Sequence, residues 1–184
     1  MAMLETVNEH LHFKTEWQIL KFRDPDNKIA NLMQAGLPTH IALRRFKDRL
    51  IGIETMKENL GLNEGIQLLL EIISGIDTTS NKWDNTHAYL GVGDSNTAAS
   101  ATQTGLQGTN KTFKGMDTGY PQRSNQTLEW RATYGTTEGN HSWQEFTVVN
   151  ATDDTGKNLN RKVEDKGTKA SGETWTLSLK ITVS

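Results

Sequence analysis

The stretch Thr174-Trp-Thr-Leu-Ser-Leu-Lys-Ile-Thr-Val183 alternates polar and apolar residues without a break. A strand points successive side chains to opposite faces, so Trp175, Leu177, Leu179, Ile181 and Val183 share one face. A helix would scatter them around its axis. Such a segment has to lay its apolar face on a core made with other strands, as half-buried antiparallel sheets do. The same alternation recurs at 127–134, where Leu128, Trp130, Ala132 and Tyr134 oppose Glu129, Arg131 and Thr133. Residues 142–149 read as a strand with a bulge or register shift near Glu145. Shorter strands are expected at 158–163, around Tyr89 and at 111–116. Gly135, Gly139, Gly156, Gly167 and Gly172 fall at the intervening turns. About six strands at this spacing, with no long amphipathic helix between them, exclude a doubly wound parallel sheet. The expectation is a mainly β protein whose residues 81–184 form an antiparallel β-sandwich, jelly-roll or Ig-like in type.

The first eighty residues read differently. Phe13, Trp17, Ile19, Leu20 and Phe22 leave helix and strand both open, since their spacing is ambiguous between the two periods. Asp24-Pro25-Asp26-Asn27 is a turn, with Asn27 capping a short helix through Gln34 that ends at Gly36 and Pro38. Thr39 is read as the cap of a second helix, with Ile41, Leu43, Phe46 and Leu50 apolar. Asn63 caps a third, with Ile66, Leu69, Leu70 and Ile73 as its apolar stripe and Gly75 as its stop. Residues 77–82 have linker composition. The reading is a partly helical N-terminal arm, residues 1–80, that docks on a partner. Its expected anchors are Phe13, Trp17 and Phe22, with Arg44 and Arg45 on a basic helix face. On that reading residues 81–184 fold without the first 25.

Bulk properties narrow the chemistry. The 184 residues contain no cysteine, which removes disulfides, thiolate catalysis and Cys-based zinc sites. A formal net charge of -2 gives no electrostatic case for nucleic acid. The first ten residues lack a basic segment followed by an apolar one, so no signal peptide is expected and synthesis is assigned to a cytoplasm. The longest apolar run, 66–73, is too short to span a bilayer.

One motif raises the question of catalysis. Gly93-Asp94-Ser95-Asn96-Thr97 follows an apolar strand and resembles the nucleophile block of the GDSL (SGNH) hydrolases. That resemblance implies a serine esterase using Ser95. The family takes its base from an Asp-X-X-His and an oxyanion donor from a Gly-X-Asn-Asp block. After Ser95 the one histidine is His141, three residues after Glu138, and no Gly-X-Asn-Asp occurs. A serine without base, orienter and oxyanion donors is not an activated nucleophile. The alternative is turn chemistry, in which short polar side chains bond nearby backbone N–H groups.

The remaining candidates are sparse. His10 and His12 fall short of the ligand number of a metal site, His40 and His87 read as packing or capping residues, and Asp153-Asp154 lacks a spaced acidic loop. Glu138 and Glu145 are considered as a glycosidase pair and read as a solvated face. Gly91-Val-Gly93 lacks the third glycine and the helix of a phosphate-binding loop. No catalytic residue, cofactor or metal is expected.

A second resemblance covers about two thirds of the chain. Its marks are residues 56–65 before an aliphatic helix, Ala88-Tyr-Leu-Gly-Val-Gly-Asp-Ser-Asn-Thr-Ala-Ala-Ser-Ala-Thr-Gln-Thr-Gly-Leu106 and Lys114-Gly-Met-Asp-Thr-Gly-Tyr-Pro121. Further marks are Trp130-Arg-Ala-Thr-Tyr-Gly135, Trp143-Gln-Glu-Phe146, Leu159-Asn-Arg-Lys162 and residues 166–177. In this order and spacing they resemble a family of small tailed-bacteriophage virion proteins. The resemblance implies a non-enzymatic structural protein of the virion, made in the host cytoplasm, with no nucleic-acid or membrane role. No fibre shaft repeat is present. A capsid decoration or cement protein on the major capsid protein lattice is therefore the first reading. A tail, connector or fibre-attachment protein is the second. Either implies a homo-oligomer or symmetric array.

Overall fold

A computed structural model describes residues 12–184. The elements in chain order are β1 (Phe13–Arg23), α1 (Lys28–Gln34), α2 (Thr39–Arg45), β2 (Leu50–Lys57), β3 (Leu60–Gly61) and α3 (Asn63–Ser74). They continue with β4 (Tyr89–Gly93), β5 (Lys111–Gly115), β6 (Gln122–Ser124), β7 (Thr127–Tyr134), β8 (Glu145–Val149), β9 (Asn160–Val163) and β10 (Glu173–Val183). The protein is mainly β. Two five-stranded antiparallel sheets run β2-β1-β10-β7-β6 and β3-β9-β8-β4-β5.

Register explains the core. Trp17 lies across from Leu179 and Leu179 from Trp130; Ile19 lies across from Leu177 and Leu177 from Ala132. These rows present one apolar face of the first sheet. The second sheet answers with Leu90 across from Val148 and Val92 across from Phe146. All ten side chains belong to one buried cluster, which also includes Trp143. The Trp143 ring meets Tyr134 edge-on at 4.7 Å and Trp175 at 4.8 Å between centroids, a favoured aromatic geometry. Tyr134 reaches across to the second sheet and donates its hydroxyl to the Leu90 carbonyl at 2.6 Å.

The expected arm is corrected here. β1 lies second in its sheet, bonded to β10 on one side and β2 on the other. The sheet therefore crosses the expected boundary at residue 80. β1 is buried on both faces, which is why its pattern fitted no single period. Trp17 and Ile19 face the common core, whereas Leu20 and Phe22 face a second cluster with Ile29, Met33, Ala42 and Phe46 beneath α1 and α2. Trp17 and Phe22 are fully buried in the chain's own cores and cannot anchor a partner. Deleting residues 1–25 would remove a strand with two neighbours, so the remainder is not an independent fold.

The helices differ in detail from expectation. The first turn of α1 is capped by Asp24 and not by Asn27. The buried Asp24 carboxylate accepts from Ile29 N at 3.0 Å and Ala30 N at 2.9 Å. Asn27 takes a left-handed conformation, and its side-chain oxygen accepts from Thr136 N at 3.2 Å. Thr39 opens α2 without a side-chain cap, and the helix stops at Arg45. The chain then enters β2, an edge strand. Its alternate residues Ile51 and Ile53 are exposed. Gly75 ends α3 in the left-handed conformation, as expected.

Candidate functional site

The Gly-Asp-Ser turn leaves β4 and begins the long segment 94–110. Gly91 and Gly93 are there for space. A Cβ on Gly91 would press within 2.7 Å of the Phe113 ring and 2.8 Å of the Thr147 methyl, and one on Gly93 would collide with the Glu145 carboxylate. Glu145 is fully buried. It accepts from Gln107 N at 2.9 Å and Gly108 N at 2.6 Å, and pairs with the buried Arg161 through Nε at 2.8 Å and Nη2 at 2.7 Å. Arg161 in turn donates to the Gln103 side chain at 2.9 Å. Asp94 accepts from Thr109 N at 2.8 Å, Asn110 N at 3.1 Å and Asn110 Nδ2 at 2.6 Å. The Asn110 side chain and these amides hold the Asp94 carboxyl below its ordinary range, against the opposing effect of burial. Asp154 accepts from Leu106 N at 3.0 Å and pairs with Lys111 at 2.8 Å. Three carboxylates thus satisfy the backbone donors of residues 106–110, which have no secondary structure of their own.

Ser95 has no catalytic company in this arrangement. Its Oγ donates to Thr97 Oγ1 at 3.0 Å and accepts from Thr97 N at 3.1 Å, a local polar turn. His141 is engaged elsewhere, with Nε2 on Thr112 Oγ1 at 3.0 Å and Nδ1 on the Ser142 carbonyl at 2.8 Å. Glu138 and Glu145 are in different environments. Glu138 pairs with Lys114 at 2.6 Å and caps Gly135 N at 2.8 Å, whereas Glu145 is locked to Arg161. The reading of the two as one solvated face is corrected by the burial of Glu145. His87 bonds Asp84 at 2.9 Å, and His40 is exposed on α2. Asp153 closes its own turn on Thr155 N at 2.9 Å. His10 lies outside the described residues, among which no three His, Asp or Glu side chains are grouped to hold a metal.

The feature that sequence reading missed is a run of exposed apolar side chains along one stretch of the chain. Eight large apolar side chains are exposed among the described residues, and seven of them lie between residues 51 and 76. Ile51 and Ile53 are on β2 and Leu60 is on β3, the edge strands of the two sheets. On α3, Ile66, Leu70 and Ile73 are 45%, 61% and 73% exposed, and Ile76 just beyond is 80% exposed. Residues 66, 70 and 73 are spaced to form one stripe of the helix. The other face is the packed one. Gly65 sits so close to Leu159 that a Cβ would meet its Cα at 2.5 Å, Leu68 is buried, and Leu69 and Ile72 pack against the common core. The expected stripe of α3 is thus corrected: Ile66, Leu70 and Ile73 face solvent. The helix is apolar on both sides, and periodicity alone could not say which side the fold would take. Of the expected anchors, Phe13 is exposed at the start of β1, and Arg44 and Arg45 are exposed on α2.

Comparison of the chain with models of protein families, with characterised proteins and with solved structures finds no match.

Proposed function

We propose that this chain is a non-enzymatic structural protein that works by docking on a larger assembly, and that the assembly is a tailed-phage virion. The supporting observation is the concentration of exposed apolar side chains at 51–76. Proteins that act alone seldom leave large apolar patches uncovered, and grouped ones mark interaction surfaces. The resemblance of residues 56–177 to small phage virion proteins supplies the class of partner. In this reading the two sheets form a β-sandwich of jelly-roll or Ig-like type, and α3 with β2 and β3 seats on the major capsid protein lattice. The reading makes the protein a decoration or cement protein, in the virion, arranged as a symmetric array with no cofactor.

Co-sedimentation tests the reading. Purified protein is mixed with separated heads and tails of the phage that encodes it. Saturable binding to heads at hundreds of copies per particle is expected. Binding to tails alone, at small multiples of three or six, would transfer the assignment to a tail or connector protein. Binding to neither would overturn the virion assignment.

A further inference from the structure

Lys169 is buried, yet its amine has only neutral partners. Nζ donates to the Gly135 carbonyl at 2.7 Å and to Asn140 Oδ1 at 2.7 Å. Burial pushes the Lys169 amine down to about 8, against the opposing fields of Glu173 and Glu138. An amine titrating there is a competent nucleophile near neutrality, as desolvated lysines are. The electrophile is held as firmly. Asn140 Nδ2 donates to the Thr136 carbonyl at 2.9 Å, so both ends of the carboxamide are fixed. One C=O bond separates Oδ1 from Cγ, so Cγ lies within about 4 Å of Nζ, and release of the bond to Oδ1 lets the amine turn its lone pair onto it. The two backbones are also locked: Lys169 N bonds the His141 carbonyl at 3.1 Å, Trp143 N bonds the Gly167 carbonyl at 2.9 Å, and Ser142 bridges Thr168.

We propose that Lys169 and Asn140 form an intramolecular isopeptide bond. The Nζ lone pair of the neutral amine attacks Cγ, and the Cγ–Nδ2 bond breaks. A proton from Nζ passes through solvent, which reaches the exposed Asn140, to Nδ2, and ammonia leaves. No oxidant or reductant is needed. The product staples the turn at 135–140 to the segment that leads into β10. This inference stands apart from the docking proposal, since it concerns one chain alone.

Intact-mass measurement of the folded full-length chain, after incubation at mildly alkaline pH, tests it. The expected wild-type mass is the sequence mass less one ammonia, and a tryptic digest contains a branched peptide joining Lys169 to Asn140. Lys169→Arg and Asn140→Ala should each show the plain mass expected for their sequence. Arginine keeps the charge and donors but is not acylated, and Asn140 is exposed, so at least one variant is expected to fold. A wild-type chain with the plain sequence mass overturns the proposal. So does ammonia loss that persists in Lys169→Arg, because succinimide formation at an asparagine would then account for it.

Discussion

Segment 94–110 and helix α3 both pack beside the second sheet, and they end in opposite states. The segment has no regular structure, yet its backbone donors at Leu106, Gln107, Gly108, Thr109 and Asn110 are each met by a carboxylate. The helix satisfies its own backbone, yet Ile66, Leu70 and Ile73 are left in water. The difference teaches where to look for function. The polar turn that resembles a nucleophile block is bonded internally, Ser95 to Thr97 and Asp94 to Thr109 and Asn110. A regular helix that resembles ordinary core is the part left incomplete.

The sharpest way to break the finished region is Glu145→Ala. It strands Arg161 as a buried charge and orphans the Gln107 and Gly108 amides. Loss of one partner of a buried pair costs about 3–5 kcal/mol, so denaturant unfolding should show a large drop in midpoint. Gly93→Ala attacks the same carboxylate through volume. Overpacking of this kind costs about 1–3 kcal/mol and should lower the midpoint without abolishing folding. Leu70→Glu with Ile73→Glu probes the unfinished region. Both side chains face solvent, so stability should move by about 0.5 kcal/mol or less per site. Ser95→Ala should be smaller still, removing one local turn bond, with no esterase activity in either protein.

Acid tests the segment more gently. The folded Asp94 carboxyl titrates below its unfolded value, so the stability it contributes is present above the unfolded pKa. It is lost as pH falls through the folded pKa. Protection factors at Thr109 and Asn110, which correct for the intrinsic slowing of amide exchange in acid, should fall on acidification below the ordinary carboxylate range, before those in β7 and β10 do. A uniform loss of protection across the sheets would show that Asp94 is not the local clasp.

Much of the fold was legible where only one face of a strand is apolar. β7 and β10 followed from alternation, because the residues alternating with Trp130, Tyr134, Trp175 and Leu177 are polar, even though Arg131, Thr133, Thr174 and Thr176 are buried on the opposite face. β1 was illegible for the opposite reason: with Leu20 and Phe22 under α1 and α2, both faces are apolar. The cap of α1 was misplaced because Asp24 acts from before the turn, a geometry set by tertiary contact with Thr174 and not by local spacing. The Glu145–Arg161 pair is brought together by strand pairing of β8 with β9, so no motif announced it. The exposed face of α3 was hidden by a sound rule misapplied. Apolar periodicity locates a helix face but does not say whether the chain itself covers it.

The most direct test of the account is co-sedimentation of the Leu70→Glu, Ile73→Glu protein with phage heads, run beside wild type. The account expects the variant to keep its circular dichroism and unfolding midpoint while its occupancy on the particle falls at least tenfold. A folded variant that still saturates the lattice at wild-type affinity would contradict it.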